Sequence, residues 1–147
     1  MLSTVLSPQA ARTRAEVSSP SVLAAPRPAW NSGPGVVVGR HIIADLYGVA
    51  PELISRRETV EAILDEVVRE ARLTEEGRAY KQFEPYGVTG VVLLAESHLA
   101  IHTWPEHGLV NVDVFTCGEP EQADEAFRLL VEKFRPAAYR HVVMDRG

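Results

Sequence analysis

Two alternating runs, "SHLAIHTW" (97–104) and "LVNVDVF" (109–115), constrain this chain more than any other feature, and a bend at His107 and Gly108 separates them. Apolar and polar residues alternate with period two in both, the pattern of half-buried strands, and the short bend makes them an antiparallel hairpin. Leu99, Ile101 and Thr103 fall on one face with Val110, Val112 and Val114. His98, Ala100, His102 and Trp104 fall on the other, with Asn111, Asp113 and Phe115. The apolar face demands a cover. The polar face, taken alone, reads as the solvent side.

The cover is legible on either side of the hairpin. Val60, Ile63, Leu64, Val67, Val68 and Ala71 repeat at helical spacing, as do Ala123, Ala126, Phe127, Leu130, Val131 and Phe134, and Pro136 closes the second helix. A β-branched stretch, "VVVGRHIIADLYGV" from Val36, predicts a strand with an irregularity near Gly39. Two strands at about 78–84 and 88–95 flank the turn chemistry of Pro85 and Gly87, and "YRHVVM" predicts a last strand. The order strand, helix, four strands, helix, strand predicts an α+β fold. It is a two-layer sandwich with two helices on one face of a mainly antiparallel sheet, and a partner subunit on the sheet side wherever that face is apolar.

The chain divides at about residue 36. Residues 1–35, rich in Ser, Ala and Pro without a continuous apolar run, read as a disordered N-terminal extension, and 36–147 as one domain. A net charge of −5, from 15 basic against 20 acidic residues, supplies no basic field for nucleic acid. The single cysteine forms no internal disulfide and no segment has membrane-spanning length, so a cytoplasmic protein is expected.

The hairpin carries more chemistry than a strand pair needs: Glu96, Ser97, His98, His102 and Cys117. Metal ligation by His98 and His102 lacks a third ligand at convincing spacing, and no metal is expected. A structural, hydrogen-bonded role is the simpler reading of His98. Cys117 by itself reads as a small buried hydrophobe. A Ser–His or Cys–His hydrolase would use the same residue types, but the serine elbow G-x-S-x-G is absent around Ser97.

"ESHLAIHTWPEHG" followed by "VDVFTCG", with "GRHIIADLYG" (39–48), "FEPYGVTG" (83–90) and "HVV" (141–143), resembles the prokaryotic class of S-adenosylmethionine decarboxylase proenzymes, pyruvoyl enzymes of spermidine synthesis. The resemblance spans nearly all of the expected domain. It implies self-cleavage between Glu96 and Ser97 into a beta chain (1–96) and an alpha chain (97–147). The Ser97 hydroxyl attacks the preceding carbonyl, an N-to-O shift gives an ester, and elimination and hydrolysis leave a pyruvoyl group made from Ser97. That group forms a Schiff base with S-adenosylmethionine and draws off the electrons left as carbon dioxide departs.

Residue by residue, the resemblance makes His102 the processing proton acceptor and Thr89 a hydroxyl that assists processing, at a position often occupied by serine. Cys117 becomes the proton donor to the substrate carbon. Phe83 becomes the adenine-stacking ring, and Glu106 the ribose-gripping carboxylate. Trp104 lines the same pocket or packs in the core. The resemblance also implies that the two fragments stay associated and pair into a homodimer with active sites at or near the subunit interface. Two rival expectations remain: a pyruvoyl-dependent ornithine or arginine decarboxylase on the same fold, and an unprocessed binding subunit.

Overall fold

The computed structural model describes residues 36–147; the expected N-terminal extension lies outside the described residues. Strand β1 (Gly39–Tyr47) leads through a one-turn helix α1 (Pro51–Ile54) into α2 (Arg57–Glu70). Strands β2 (Glu75–Gln82), β3 (Val88–Leu94) and β4 (Ser97–Trp104) follow, then a 3-10 turn (Pro105–His107) and β5 (Leu109–Thr116). Helix α3 (Pro120–Phe134) and β6 (Ala138–Arg146) complete the domain. The six strands form one sheet in the order β2-β3-β4-β5-β1-β6, and every neighbouring pair is antiparallel.

The predicted α+β sandwich is the observed one, with two differences of detail. Helix α1, a single turn opened by Pro51, is too short to carry a periodicity and was not predicted. Strand β2 starts earlier than expected, at Glu75, across an irregularity between Glu75 and Gly77, and stops at Gln82, where the chain turns away to form the 83–87 loop.

Alternation decides which layer each side chain joins. Ile42, Ala44 and Leu46 of β1, Val88 and Val92 of β3, Leu99 and Ile101 of β4 and Val110, Val112 and Val114 of β5 are buried under the helices. They meet Val60, Leu64 and Val67 of α2 and Ala123, Ala126, Leu130 and Phe134 of α3 in a single core. Each fully buried Leu, Ile or Phe contributes on the order of 1.5–3 kcal/mol of transfer free energy. Thr103, the polar member of the buried face, stays satisfied: its hydroxyl donates to the Ile54 carbonyl at 2.7 Å and accepts from the Val88 amide at 2.8 Å. Strands β3 and β4 are thereby tied to α1.

The opposite face is bare among the described residues. Its cross-strand rows run Leu93–His98–Phe115–His41–Met144, then Val91–Ala100–Asp113–Ile43–Val142, then Thr89–His102–Asn111–Asp45–Arg140. Apolar side chains at its two flanks, Val91 and Leu93 on one side and Ile43, Val142 and Met144 on the other, are exposed. Polar groups occupy the middle.

Among the described residues two buried hydroxyls, those of Tyr80 and Thr116, have no hydrogen-bond partner, and the first makes a test. Tyr80 projects from β2 over Gly90, and its hydroxyl is buried with no hydrogen-bond partner. Burial pushes its phenol up to about 12 from an ordinary value of 10.0. A raised folded value means the group's contribution is intact below pH 10 and lost as pH climbs toward 12, because the unfolded chain ionises first. Tyr80→Phe is expected to leave stability unchanged or raise it by up to ~1 kcal/mol in urea melts at neutral pH. It is also expected to flatten the fall in stability above pH 10.

Candidate active site

Ser97 pairs with Leu94, so Ala95 and Glu96 form a two-residue hairpin turn. Such turns ordinarily place glycine, Asn or Asp at positive φ inside the loop. Here the positive φ falls one residue later, on Ser97 itself at 148°, a conformation that L side chains rarely adopt. The surroundings hold this geometry from several directions. The Glu96 carbonyl accepts the Cys117 amide at 2.6 Å, and the Ala95 amide donates to the Thr74 carbonyl at 2.8 Å. The Glu96 carboxylate accepts the Thr74 amide with both oxygens, at 3.2 and 3.1 Å. Cys117 lies just past the residue that pairs with Ser97 and is exposed, which corrects its reading as a buried hydrophobe.

Next to the turn, the Ser97 hydroxyl lies 3.1 Å from His98 Nδ1. His98 Nε2 lies 3.0 Å from Asp113 Oδ1, and His41 Nε2 approaches the same oxygen at 2.7 Å. Chemically this is a hydroxyl one residue beyond a carbonyl whose oxygen is already held by a backbone donor. That arrangement suits an intramolecular acyl shift.

A second group gathers at the far end of β3 and β4. A cleft of about 300 Å³ is lined by Phe83, Tyr86, Thr89, His102, Trp104 and Glu106, with Gly87 and Thr103 behind them. The Thr89 hydroxyl lies 2.9 Å from His102 Nδ1. Phe83, Tyr86 and Trp104 are each nearly half exposed, so Trp104 is a cleft wall and not core. Its indole N–H donates to Asn111 Oδ1 at 2.8 Å, and the Asn111 amide donates to Asp45 at 2.7 Å. Burial works against ionisation of Asp45, but hydrogen bonds from Arg140 and Asn111 outweigh it and hold the carboxyl below its usual range.

Gln82 organises the loop that carries the two aromatic rings. Its amide nitrogen reaches the carbonyls of Ser55, Phe83 and Gly87 at 3.0, 2.9 and 3.0 Å, while its oxygen accepts the Arg57 amide at 2.7 Å. The loop is closed further by the Phe83 amide on Gly87 and the Gly87 amide on Ser55.

The structure therefore brings together Glu96, Ser97 and Cys117 in one place and Phe83, Thr89, His102, Trp104 and Glu106 in another. It does not bring the two places together. Ser97 and His102 stand at positions 97 and 102 of one strand, about 16 Å apart at the rise of an extended chain. His98 and His102 share a face, as alternation requires, but serve different partners. Among the described residues, the ligating atoms of His41, His98 and Asp113 lie within 4.8 Å of one another, a convergence that sequence spacing did not expose. His41, Asp113, Gln82 and Tyr86 are the residues that sequence reasoning missed as site members.

These elements define a class: a two-layer α+β protein whose hairpin turn presents a strained serine beside a cysteine, with an aromatic cleft bearing a carboxylate on the same sheet. The family model described as S-adenosylmethionine decarboxylase matches residues 40–147, and the chain belongs to that family. A protein of Archaeoglobus fulgidus named S-adenosylmethionine decarboxylase proenzyme is 61% identical over 112 residues, 76% of this chain and 100% of its own length. A Thermoplasma acidophilum protein of the same name is 54% identical over 112 residues, 76% of this chain and 86% of its own. The crystal structure of the adenosylmethionine decarboxylase of Aquifex aeolicus superposes with a TM-score of 0.75 at 47% identity, covering 77% of this chain and 93% of that one. A Trypanosoma brucei structure at 17% identity and TM-score 0.55 shares the fold alone. Among the described residues no helix is long and apolar enough to cross a membrane.

Removing the loop clamp tests its role. Gln82→Ala is expected to raise amide hydrogen exchange at Phe83 and Gly87 by about tenfold, consistent with loss of roughly one net hydrogen bond's stabilisation. Exchange in β5 and α3 should not change. Unaltered exchange in the 83–87 loop would show that its own backbone bonds suffice.

Proposed function

We propose that this chain cuts itself between Glu96 and Ser97 and, with a pyruvoyl group made from Ser97, decarboxylates S-adenosylmethionine to the aminopropyl donor of spermidine biosynthesis. The observation that carries the reading is the Glu96 carbonyl held by the Cys117 amide at 2.6 Å directly before a serine at φ 148°. In the cut, the Ser97 Oγ–carbon bond forms at Glu96, the Glu96–Ser97 amide bond breaks, and the Cys117 amide receives the charge that develops on the oxygen. Elimination then removes the Ser97 α-proton and expels the Glu96 carboxylate; hydrolysis releases ammonia and leaves the pyruvoyl.

The residues around position 97 fit that group: the exposed Cys117 adjoins the turn, its amide already bonded to the Glu96 carbonyl, and its thiol is the proton donor of this reading. The pyruvoyl carbonyl supplies the electron sink for loss of carbon dioxide. The chain's other residues bind and orient. Phe83 and Tyr86 offer stacking surfaces for adenine, and Glu106 accepts hydrogen bonds from ribose hydroxyls. Such a cleft has no use for the side chain of ornithine or arginine, and the family match gives that alternative no support.

The cut fragments, 1–96 and 97–147, stay together for a topological reason. Strand β1 of the beta chain lies between β5 and β6 of the alpha chain, and β3 pairs with β4 across the cut. Completion of the site needs a second copy. His102 stands about 16 Å from Ser97 in its own chain, so the proton acceptor for elimination comes from a partner whose bare face packs on this one in a symmetric homodimer. The exposed apolar flanks of the sheet face give that pairing its driving force.

Intact-mass analysis of the denatured protein is expected to give two fragments meeting at Glu96 and Ser97. Borohydride reduction with S-adenosylmethionine should add substrate mass to the second fragment alone. A persistently uncut chain overturns the reading. Ser97→Ala and His102→Ala chains should each fail to complete the cut alone, yet when co-expressed the His102→Ala chain should be processed. Failure of that complementation in verified mixed dimers would place His102 in its own chain's site. Thr89→Ser should retain processing, while Thr89→Val should slow it by ~10-fold or more, consistent with loss of a hydrogen bond to His102.

A further inference from the structure

We propose that His98, oriented by Asp113 and His41, is the general base that takes the Ser97 hydroxyl proton at the start of self-cleavage. The inference rests on the cut at Glu96–Ser97 but assigns a group that this reading leaves without a role. A serine hydroxyl is a weak nucleophile, and an adjacent base is the ordinary means of activating it.

Neighbouring residues of a strand normally point to opposite faces, so Ser97 and His98 would not meet. The positive φ of Ser97 breaks that alternation locally and brings its Oγ within 3.1 Å of His98 Nδ1. The far side of the imidazole fixes the tautomer. His98 Nε2 faces only an acceptor, Asp113 Oδ1 at 3.0 Å, and therefore carries the hydrogen, leaving the Nδ1 lone pair directed at the serine. The same carboxylate oxygen accepts His41 Nε2–H at 2.7 Å, which fixes Asp113 in turn. His41 Nδ1 is approached by Arg146 Nη1 at 3.5 Å. Phe115 packs against both imidazoles, with ring centroids 6.1 Å from His98 and 5.3 Å from His41, restricting their rotation. Ser97, His98 and Asp113 thus form a hydroxyl–imidazole–carboxylate relay, with His41 as its brace.

The balance is internal. Oγ loses its proton to His98 Nδ1 as the Oγ–carbon bond forms at Glu96; when the Glu96–Ser97 amide bond breaks, His98 returns that proton to the Ser97 nitrogen. No net proton enters or leaves, and nothing is oxidised or reduced. His102 acts later, on the ester, from the other half-site. A metal held by His41, His98 and Asp113 is the competing use of this cluster. The N···O separations of 2.7 and 3.0 Å are hydrogen-bond lengths, whereas ligands around tetrahedral zinc at ~2.0–2.1 Å lie roughly 3.3 Å apart.

The test uses the full chain, purified quickly and followed by intact mass and hydroxylamine treatment, which cleaves an ester but not an amide. His98→Ala is expected to slow cleavage by ~10²-fold or more and to accumulate an uncut amide that hydroxylamine does not cleave. His102→Ala should instead accumulate the hydroxylamine-labile ester. Because His98 is partly exposed, added imidazole should restore cleavage to His98→Ala and leave His102→Ala unchanged. Asp113→Asn, nearly isosteric, should slow the same first step by ~10-fold or more, since an amide in place of the carboxylate no longer fixes the tautomer.

Wild-type cleavage rates in His98→Ala or Asp113→Asn, or accumulation of an ester in either, overturn the proposal. So does cleavage that a chelator abolishes and zinc restores, which assigns the cluster to a metal. If His98→Ala does not fold, Asp113→Asn alone decides. If the wild-type chain never cuts, the proposed function has failed, a result separate from any of these.

Discussion

A sheet covered on one face only is the constraint on which this molecule depends. Side chains alternate along each strand, so one residue of register error would exchange the two faces of a strand. Burial of Leu99, Ile101, Val112 and Val114 beneath α2 and α3 favours one register through the hydrophobic effect, and the two-residue turn at Ala95 and Glu96 agrees with it. Once it is fixed, His41, His98, His102, Asn111 and Asp113 have no choice of side. The core thus aligns the polar rows of the bare face without touching them, and the chemistry of the protein is a consequence of its packing.

Strain at Ser97 belongs to the same logic. A backbone at φ 148° on a non-glycine residue costs on the order of 1–3 kcal/mol and persists only where surroundings over-determine it. Here those surroundings are the β3–β4 ladder, the Thr74 clamp on Glu96 and the Cys117 amide on the Glu96 carbonyl. The clamp and the Cys117 amide both act on the acyl side of the proposed cut, so Glu96 remains anchored whether or not it is still joined to Ser97.

Much of this was legible in the sequence, for a physical reason: alternation and helical spacing are local. The two faces of the 97–115 hairpin, both long helices and the α+β layering follow from residues within one element of each other. Helix α1 escaped because a single turn has no period. His41 escaped because its meeting with Asp113 depends on β1 entering the sheet between β5 and β6, a pairing across some 70 residues that no local pattern encodes. Gln82 was silent for another reason: a glutamine at a strand end looks like any surface residue until the loop it clamps is seen. Cys117 was misjudged because typical burial of cysteine is a statistical average, and this one sits on a turn whose backbone amide is the group in use.

The division of the site between two ends of one strand is the last step. Placing both bases of the proposed processing beside Ser97 within its own chain would crowd two imidazoles against one turn. Strand β4 instead carries one imidazole at each end, His98 against the turn and His102 over the cleft, each already engaged by its own hydroxyl. Spacing along a strand keeps them from interfering. In the proposed homodimer, a twofold axis lying between the bare faces and running across the strands would set the cleft end of one copy over the turn end of the other. On that proposal, self-cleavage does not run to completion in a lone chain. The proposed pyruvoyl group is then finished only where the substrate cleft that would use it is already in place.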